Sequence, residues 1–248
     1  MSTFEVIVLG VGDAFSELHH GPSLLLTSGS FYLAVDCPDT YPAVLRRASE
    51  RCGRSLALSS IDHVLITHVH GDHVNGLEAV AFYKHFAESK RVQLATSSEV
   101  REVIWDQRLK ASMGSLWDGA TYRTMAFEDY FDFTPLSWLA ETVIGPFRIR
   151  TFRTVHHVST SALLIEAAGR VLGYSCDTAF DRELIRFLEQ ADLIVHETNL
   201  GPAHTPYEAL LSLPADVRRR MRLIHYPDGF DPEPDGIPLL CEGDVLSP

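Results

Sequence analysis

Short apolar runs alternate along the chain with longer amphipathic stretches, and several runs end on a polar residue. Val6-Ile7-Val8-Leu9, Phe31-Tyr32-Leu33-Ala34-Val35 before Asp36, and Val64-Leu65-Ile66 before Thr67-His68 come early. The same grammar returns where Val171-Leu172-Gly173-Tyr174 runs into Cys176-Asp177, Leu193-Ile194-Val195 into His196, and Arg222-Leu223-Ile224 into His225. Runs this short and this rich in β-branched residues predict strands, with polar side chains delivered at their ends. One edge of a sheet system could hold all of those ends. Between them, helical spacing predicts helices over 43–52, 74–89, 99–113, 181–190 and 206–220. In the second, Leu77, Val80 and Ala81 at i, i+3 and i+4 mark a packed face. In the last, Pro206 suits a first turn and Arg218-Arg219-Arg220 a final turn, where cations meet the helix dipole.

Strands alternating with helices give an α/β chain, and no repeat or linker divides it, so one domain over 1–248 is expected. The stretch 105–138 stands out for Trp105, Trp117, Tyr122, Phe127, Tyr130, Phe131, Phe133 and Trp138 among acidic residues. It reads as a packed insert, with a substrate-facing lid or a subunit contact as the alternatives.

Composition narrows the partners. With 21 basic against 33 acidic residues the formal charge is -12, which disfavours nucleic acid and anionic lipid. Cys37, Cys52, Cys176 and Cys241 form no C-x-x-C pair and read as reduced, buried thiols. The first ten residues lack a basic leader, and no run reaches the roughly 18–20 apolar residues of a membrane span. A cytoplasmic protein with a small-molecule substrate is therefore expected, no membrane is implied, and a homodimer is compatible with the sequence.

The densest chemistry lies in Thr67-His68-Val69-His70-Gly71-Asp72-His73. Imidazole and carboxylate are ligands that zinc, iron and manganese favour, and four within six positions exceed what one tetrahedral ion takes from one segment. Two ions are expected. In an extended turn His68 and His70 face one side, Gly71 lets the backbone bend, and Asp72 and His73 face a second ion just before a helix beginning near Val74. Other strand ends offer His156 or His157, Asp177 and His225 as further ligands.

In this order and spacing the chain resembles the metallo-β-lactamase superfamily, whose pattern is H-x-H-x-D-H followed by a distant His, an Asp and a final His. The resemblance implies a four-layer αββα sandwich with a dinuclear site at one edge of its two sheets. It implies that His68, His70 and His156 hold the first ion, that Asp72, His73 and His225 hold the second, and that Asp177 bridges them. Strand alternation lets one of His156 and His157 face the ions, and Ser159-Thr160-Ser161-Ala162-Leu163-Leu164-Ile165 matches the family's following strand best with His156 as ligand. His157 then lies behind the ligands or in the substrate cleft.

Within the superfamily, Val195-His196-Glu197-Thr198-Asn199, His204-Thr205 and Leu223-Ile224-His225 resemble the branch of ribonuclease Z and the cyclic phosphodiesterase of phosphonate metabolism. There a Glu and a His cooperate in protonating the leaving group, which carries over to Glu197 and His204. The spacer between them is shorter than in the ribonuclease and no Gly/Pro-rich arm for tRNA is present, so a tRNA substrate is disfavoured. The expected activity is hydrolysis by a hydroxide formed between two divalent ions, zinc first with manganese or iron as alternatives, on a small or cyclic phosphodiester. Asp72 would orient that hydroxide as well as bind metal. The same ligands serve lactone and thioester cleavage, and iron would allow redox chemistry.

The remaining histidines read differently. His63, His85 and His196 are expected to be structural, while His19 and His20 follow a Gly10-Val11-Gly12-Asp13 turn that the family places near the site. Phe15 breaks a G-x-G-x-x-G pattern there, which disfavours a dinucleotide.

Overall fold

The computed structural model describes residues 3–248. One sheet holds Phe4–Gly10 (β1), Ser23–Ser28 (β2), Phe31–Val35 (β3), His63–Leu65 (β4), Val92–Thr96 (β5), Phe131–Pro135 (β8) and Val245–Leu246 (β15), in the order β15-β1-β2-β3-β4-β5-β8. Between β5 and β8, Ser115–Trp117 (β6) and Tyr122–Thr124 (β7) pair as a separate hairpin. The second sheet holds Thr142–Ile144 (β9), Phe147–Arg153 (β10), Ser161–Ala167 (β11), Arg170–Tyr174 (β12), Leu193–Glu197 (β13) and Met221–Ile224 (β14), in the order β14-β13-β12-β11-β10-β9. Tyr41–Cys52 (α1), Gly71–Val74 (α2), Leu77–Tyr83 (α3), Ser98–Val103 (α4) and Lys110–Met113 (α5) belong to the first half of the chain. Arg182–Leu188 (α6), Tyr207–Leu211 (α7) and Ala215–Arg219 (α8) belong to the second.

The unbroken apolar runs exist because each sheet is buried on both faces. Val6 and Val8 of β1 point at the other sheet and meet Leu24, Phe147, Ile149, Leu163 and Ile165. Ile7 and Leu9, one residue out of phase, pack the opposite way against Val44, Leu45 and Val80. On the far side Leu164, Ile194 and Leu223 meet Leu184, Leu188 and Leu210. The layers are helices, sheet, sheet, helices, the αββα sandwich expected from the sequence.

Polar strand ends collect at one edge because the strands that carry them run parallel. β3 and β4 pair in parallel, as do β12 with β13 and β13 with β14. Their carboxyl ends therefore deliver Asp36, Thr67-His68, Cys176-Asp177, Glu197 and His225 together. Three of these residues adopt backbone that non-glycine residues seldom tolerate: Asp36 at φ 61°, Cys176 at φ 49° and His225 at φ 59°. Each such residue costs about 1–3 kcal/mol, so the surrounding contacts must hold it in place.

Several elements differ from the expectation. Residues 206–220 form two helices, α7 and α8, because Pro214 has no N–H to donate and disfavours helix at Leu213. Arg220 still meets helix-end carbonyls, donating to the Glu189 carbonyl at 2.8 Å and to that of Ala191. The helix expected near Val74 starts at Gly71, so Asp72 and His73 ride on its single turn, and it breaks at Asn75 and Gly76 before α3. Gly71 has no left-handed backbone; a Cβ there would stand 2.8 Å from Asn75 Nδ2, so close approach explains the glycine. Trp105, Phe127, Tyr130 and Phe131 of the aromatic stretch are buried in the first core, while Trp117 and Tyr122 are exposed on the β6–β7 hairpin. Cys37 and Cys176 are buried as expected, but Cys241 is exposed and Cys52 only half-buried. Among the described residues, no helix is long and apolar enough to cross a membrane.

Candidate metal centre

β4 ends in the core, and the chain then crosses the sheet edge as Thr67 to His73. Thr67 is fixed first: its N–H donates to Asp36 Oδ1 at 2.8 Å and its hydroxyl to both oxygens of that carboxylate at 2.9 and 2.8 Å. The same Asp36 accepts from His73 Nδ1 at 2.8 Å. This hydrogen bond selects the tautomer of His73 and turns Nε2 toward the cluster. Charge-assisted bonds of this kind contribute roughly 1.5–3 kcal/mol each, enough to offset the strained backbone of Asp36. In the bend between β10 and β11, the His156 ring is set by Nδ1 facing the Ala203 carbonyl at 3.0 Å, which leaves its Nε2 aimed inward.

The donor atoms fall into overlapping groups. His68, His70, His156 and Asp177 place one atom each within 4.8 Å of one another, as do Asp72, His73 and His225. Asp177 lies between the groups: its Oδ1 is 3.2 Å from His73 Nε2, and its Oδ2 is 3.7, 3.6 and 3.5 Å from the Nε2 atoms of His68, His156 and His225. Asp72 Oδ2 adds 3.2 Å to His225 Nε2 and 3.6 Å to His73 Nε2. All seven residues expected as ligands thus meet at one place. His156 enters the group, whereas His157 is exposed on the cleft wall.

These residues fit a divalent metal. His68 Nε2 and His73 Nε2 are buried with no hydrogen-bond partner, a state native proteins avoid unless something else ligates the atom. Burial holds the His68 imidazole well below its ordinary pKa and that of His156 down to about 4, favouring the neutral ring that can donate a lone pair. Burial would raise Asp177, but the imidazoles of His225 and His73 outweigh it and keep the carboxyl ionised. Asp72 is likewise pushed up by burial and down further by His73 and His225.

Glu197 is buried at the end of β13. Its Oε1 accepts from the Thr178 N–H at 2.8 Å and from His204 Nδ1 at 3.0 Å, so the short spacer still brings the pair together. Burial and the charge of Asp177 push the Glu197 carboxyl well above the usual range. His204 is half-buried, with its ring 5.2 Å from the rings of both His156 and His225. His196 points elsewhere, with Nδ1 2.7 Å from the Glu197 carbonyl, and His63 stacks on Phe31 with ring centroids 4.4 Å apart. His20 Nδ1 meets Glu242 at 3.0 Å.

A cleft of about 450 Å³ opens over this cluster, lined by His70, Asp72, Asp177, His204 and His225 below and by Phe15, His157 and Leu200 among others above. None of the residues lining this cleft comes from 105–138. From this stretch Arg108 donates to the Val69 carbonyl at 2.8 Å and also bonds Asn75. Asp36 and Arg108 hold the segment that carries the cluster, and the sequence assigned neither a role. For Asp36 the signal was present, since it is another polar residue closing an apolar strand.

A family described as Anti-Pycsar protein Apyc1 matches residues 4–236. The Anti-Pycsar protein Apyc1 of Paenibacillus sp. (strain J14) is 31% identical over 231 residues, covering 90% of this chain and 89% of its own. Among solved structures, the metallo-β-lactamase fold protein YhfI from Bacillus subtilis superposes with a TM-score of 0.74 at 19% identity, over 99% of this chain and 100% of that one. The short form of human tRNase Z gives a TM-score of 0.71 at 18% identity, over 98% of each chain. The fold is that of the metallo-β-lactamases, and ribonuclease Z stands among its structural neighbours.

Proposed function

The chain belongs to the Anti-Pycsar protein Apyc1 family, and we propose that it is a dinuclear metal-dependent phosphodiesterase acting on a small or cyclic phosphodiester, cyclic nucleotides first. The observation that carries this reading is the Asp177 carboxylate, which has one oxygen toward His73 and the other among His68, His156 and His225. A carboxylate so placed suits a bridge. His68, His70 and His156 would hold one ion, Asp72, His73 and His225 the other, with zinc the first choice and manganese or iron the alternatives.

Divalent ions bound there supply Lewis acidity, acidifying water toward neutral pH and offsetting charge on the phosphoryl oxygens. The remaining work falls to side chains. Asp72 accepts a hydrogen bond from the attacking water and aims its lone pair at phosphorus. His204 donates Nδ1–H to Glu197, which leaves Nε2 as the atom that gives a proton to the departing alkoxide as the P–O bond breaks. Buried Glu197 fixes the ring for that transfer. A thiolate leaves without such help, so the pair favours an alkoxide leaving group over a thioester.

The test is a panel of nucleoside cyclic phosphate, lactone and thioester substrates with the metal-loaded chain. The cyclic phosphate should lead in kcat/KM by on the order of 10²-fold or more, the scale of one well-placed proton donor. A lead for the lactone or thioester would contradict the proposal.

A further inference from the structure

Two large apolar side chains stand in the open at the mouth of the cleft. Phe15 is 88% exposed and Leu200 77% exposed, yet both line the cavity whose floor holds Asp72, Asp177 and His225. The backbone that presents each of them is tied down. The Phe15 N–H donates to Asp13 Oδ1 at 2.9 Å, and the next residues are gathered by Asp228, which accepts from Ser16 Oγ, from the Glu17 N–H at 2.7 Å and from the Leu18 N–H at 3.2 Å. The Leu200 N–H donates to Asn199 Oδ1 at 2.7 Å, and the amide nitrogen of Asn199 lies 3.2 Å from His225 Nδ1. Asp228 follows His225 by three positions, so both apolar groups are anchored to the segment that delivers one candidate ligand.

We infer that Phe15 and Leu200 form the specificity slot of this site and pack against the flat base of a nucleoside cyclic phosphate whose phosphate reaches the His and Asp floor. The inference rests on the phosphodiesterase reading. A polar floor under an apolar mouth matches a ligand that is charged at one end and flat and apolar-faced at the other. The volume of about 450 Å³ falls within the roughly 300–1,000 Å³ that small ligands occupy. Aromatic rings stack on any nucleobase through its π-face, and loops pinned in advance lose little entropy when they do so.

The experiment compares a nucleoside 3′,5′-cyclic phosphate with 1-O-methylribose 3′,5′-cyclic phosphate, which keeps the phosphodiester and sugar and lacks the base. With the metal-loaded full chain, Phe15→Ala raises KM for the nucleoside substrate about tenfold and Leu200→Ala raises it by a smaller factor, with kcat and the kinetics of the base-less substrate unchanged. Phe15→Trp keeps a flat ring and restores the KM, and its added fluorescence is quenched by the nucleoside substrate but not by the base-less one. Equal losses on both substrates, an unchanged KM in Phe15→Ala, or a change of oligomeric state in place of KM would overturn the slot. If the wild-type chain cleaves both substrates with the same KM, the slot fails and the phosphodiesterase reading stands. If it cleaves neither, the phosphodiesterase reading fails and takes the slot with it.

Discussion

At the floor of the cleft, His68, His73 and Asp177 are buried and each side chain leans on another, whereas at its mouth Phe15 and Leu200 stand in solvent on loops. The floor is over-determined. Three strand ends in strained backbone, a tautomer fixed by Asp36 and a carboxylate shared among four imidazoles leave little freedom in residue type or position. The mouth is held through backbone N–H groups captured by Asp228 and Asn199, which place few demands on the side chain presented. On the proposed reading, chemistry and selectivity are encoded apart: donors that would hold metal in the floor, replaceable apolar groups on anchored loops at the mouth.

Changes at the floor should abolish function, and the largest effect belongs to Asp177. Asp177→Ala should lose bound metal and hydrolysis together, measured by elemental analysis and turnover on one preparation; two retained ions with full turnover would end the bridging role. His204→Gln should keep both ions and slow turnover by on the order of 10²-fold or more, most for poor leaving groups. Equal rates across leaving groups of different pKa would remove its part as proton donor.

One layer further back the effect should shrink. Asp36→Asn leaves a hydrogen-bonding group behind His73 but lets the ring choose the other tautomer, so metal affinity should fall by about 10- to 100-fold. Competition with a chelator of known affinity reads this directly, and an unchanged affinity would make Asp36 merely structural.

Most of the floor was legible because a metal site would restrict it to His and Asp at fixed intervals, and because strands that end on polar residues point to one sheet edge. The run Thr67 to His73 and the later His156, Asp177 and His225 could be placed together for that reason. The mouth was illegible for a physical reason as well. Ser16 and Asp228 are 212 residues apart in sequence and meet only in the fold, so nothing near Phe15 announces that its loop is pinned. The α/β class followed from strand and helix spacing and the sandwich from the family resemblance, while the division of 206–220 at Pro214 and the early start of α2 at Gly71 were set by local backbone chemistry that the apolar spacing masks.

The smallest effect lies outside the cleft, where Glu242 is buried against Arg47 at 2.7 Å, Arg51 at 3.2 Å and His20 at 3.0 Å. Burial raises its pKa, but the His20 hydrogen bonds and the charges of His20 and Arg47 outweigh it and bring the carboxyl below 4.5. Its stabilisation is therefore present above pH 4.5 and is lost as pH falls through the lower, folded value. Glu242→Gln should lower Tm at pH 7 by about 2–4 °C, the change expected for about 1 kcal/mol in a chain of this size, and the gap to the wild type should close in acid. A gap that persists at acid pH would assign the loss to packing instead of charge.

On the proposed mechanism, hydrolysis depends on two ions held across Asp177. Metal content per chain, followed by elemental analysis while chelator is added and a divalent ion returned, tests it most directly when phosphodiester turnover is read on the same samples. Two ions per active chain are expected, with turnover lost as they are withdrawn and recovered as they return. Full turnover by a chain stripped of metal, or by one holding a single ion, would contradict it.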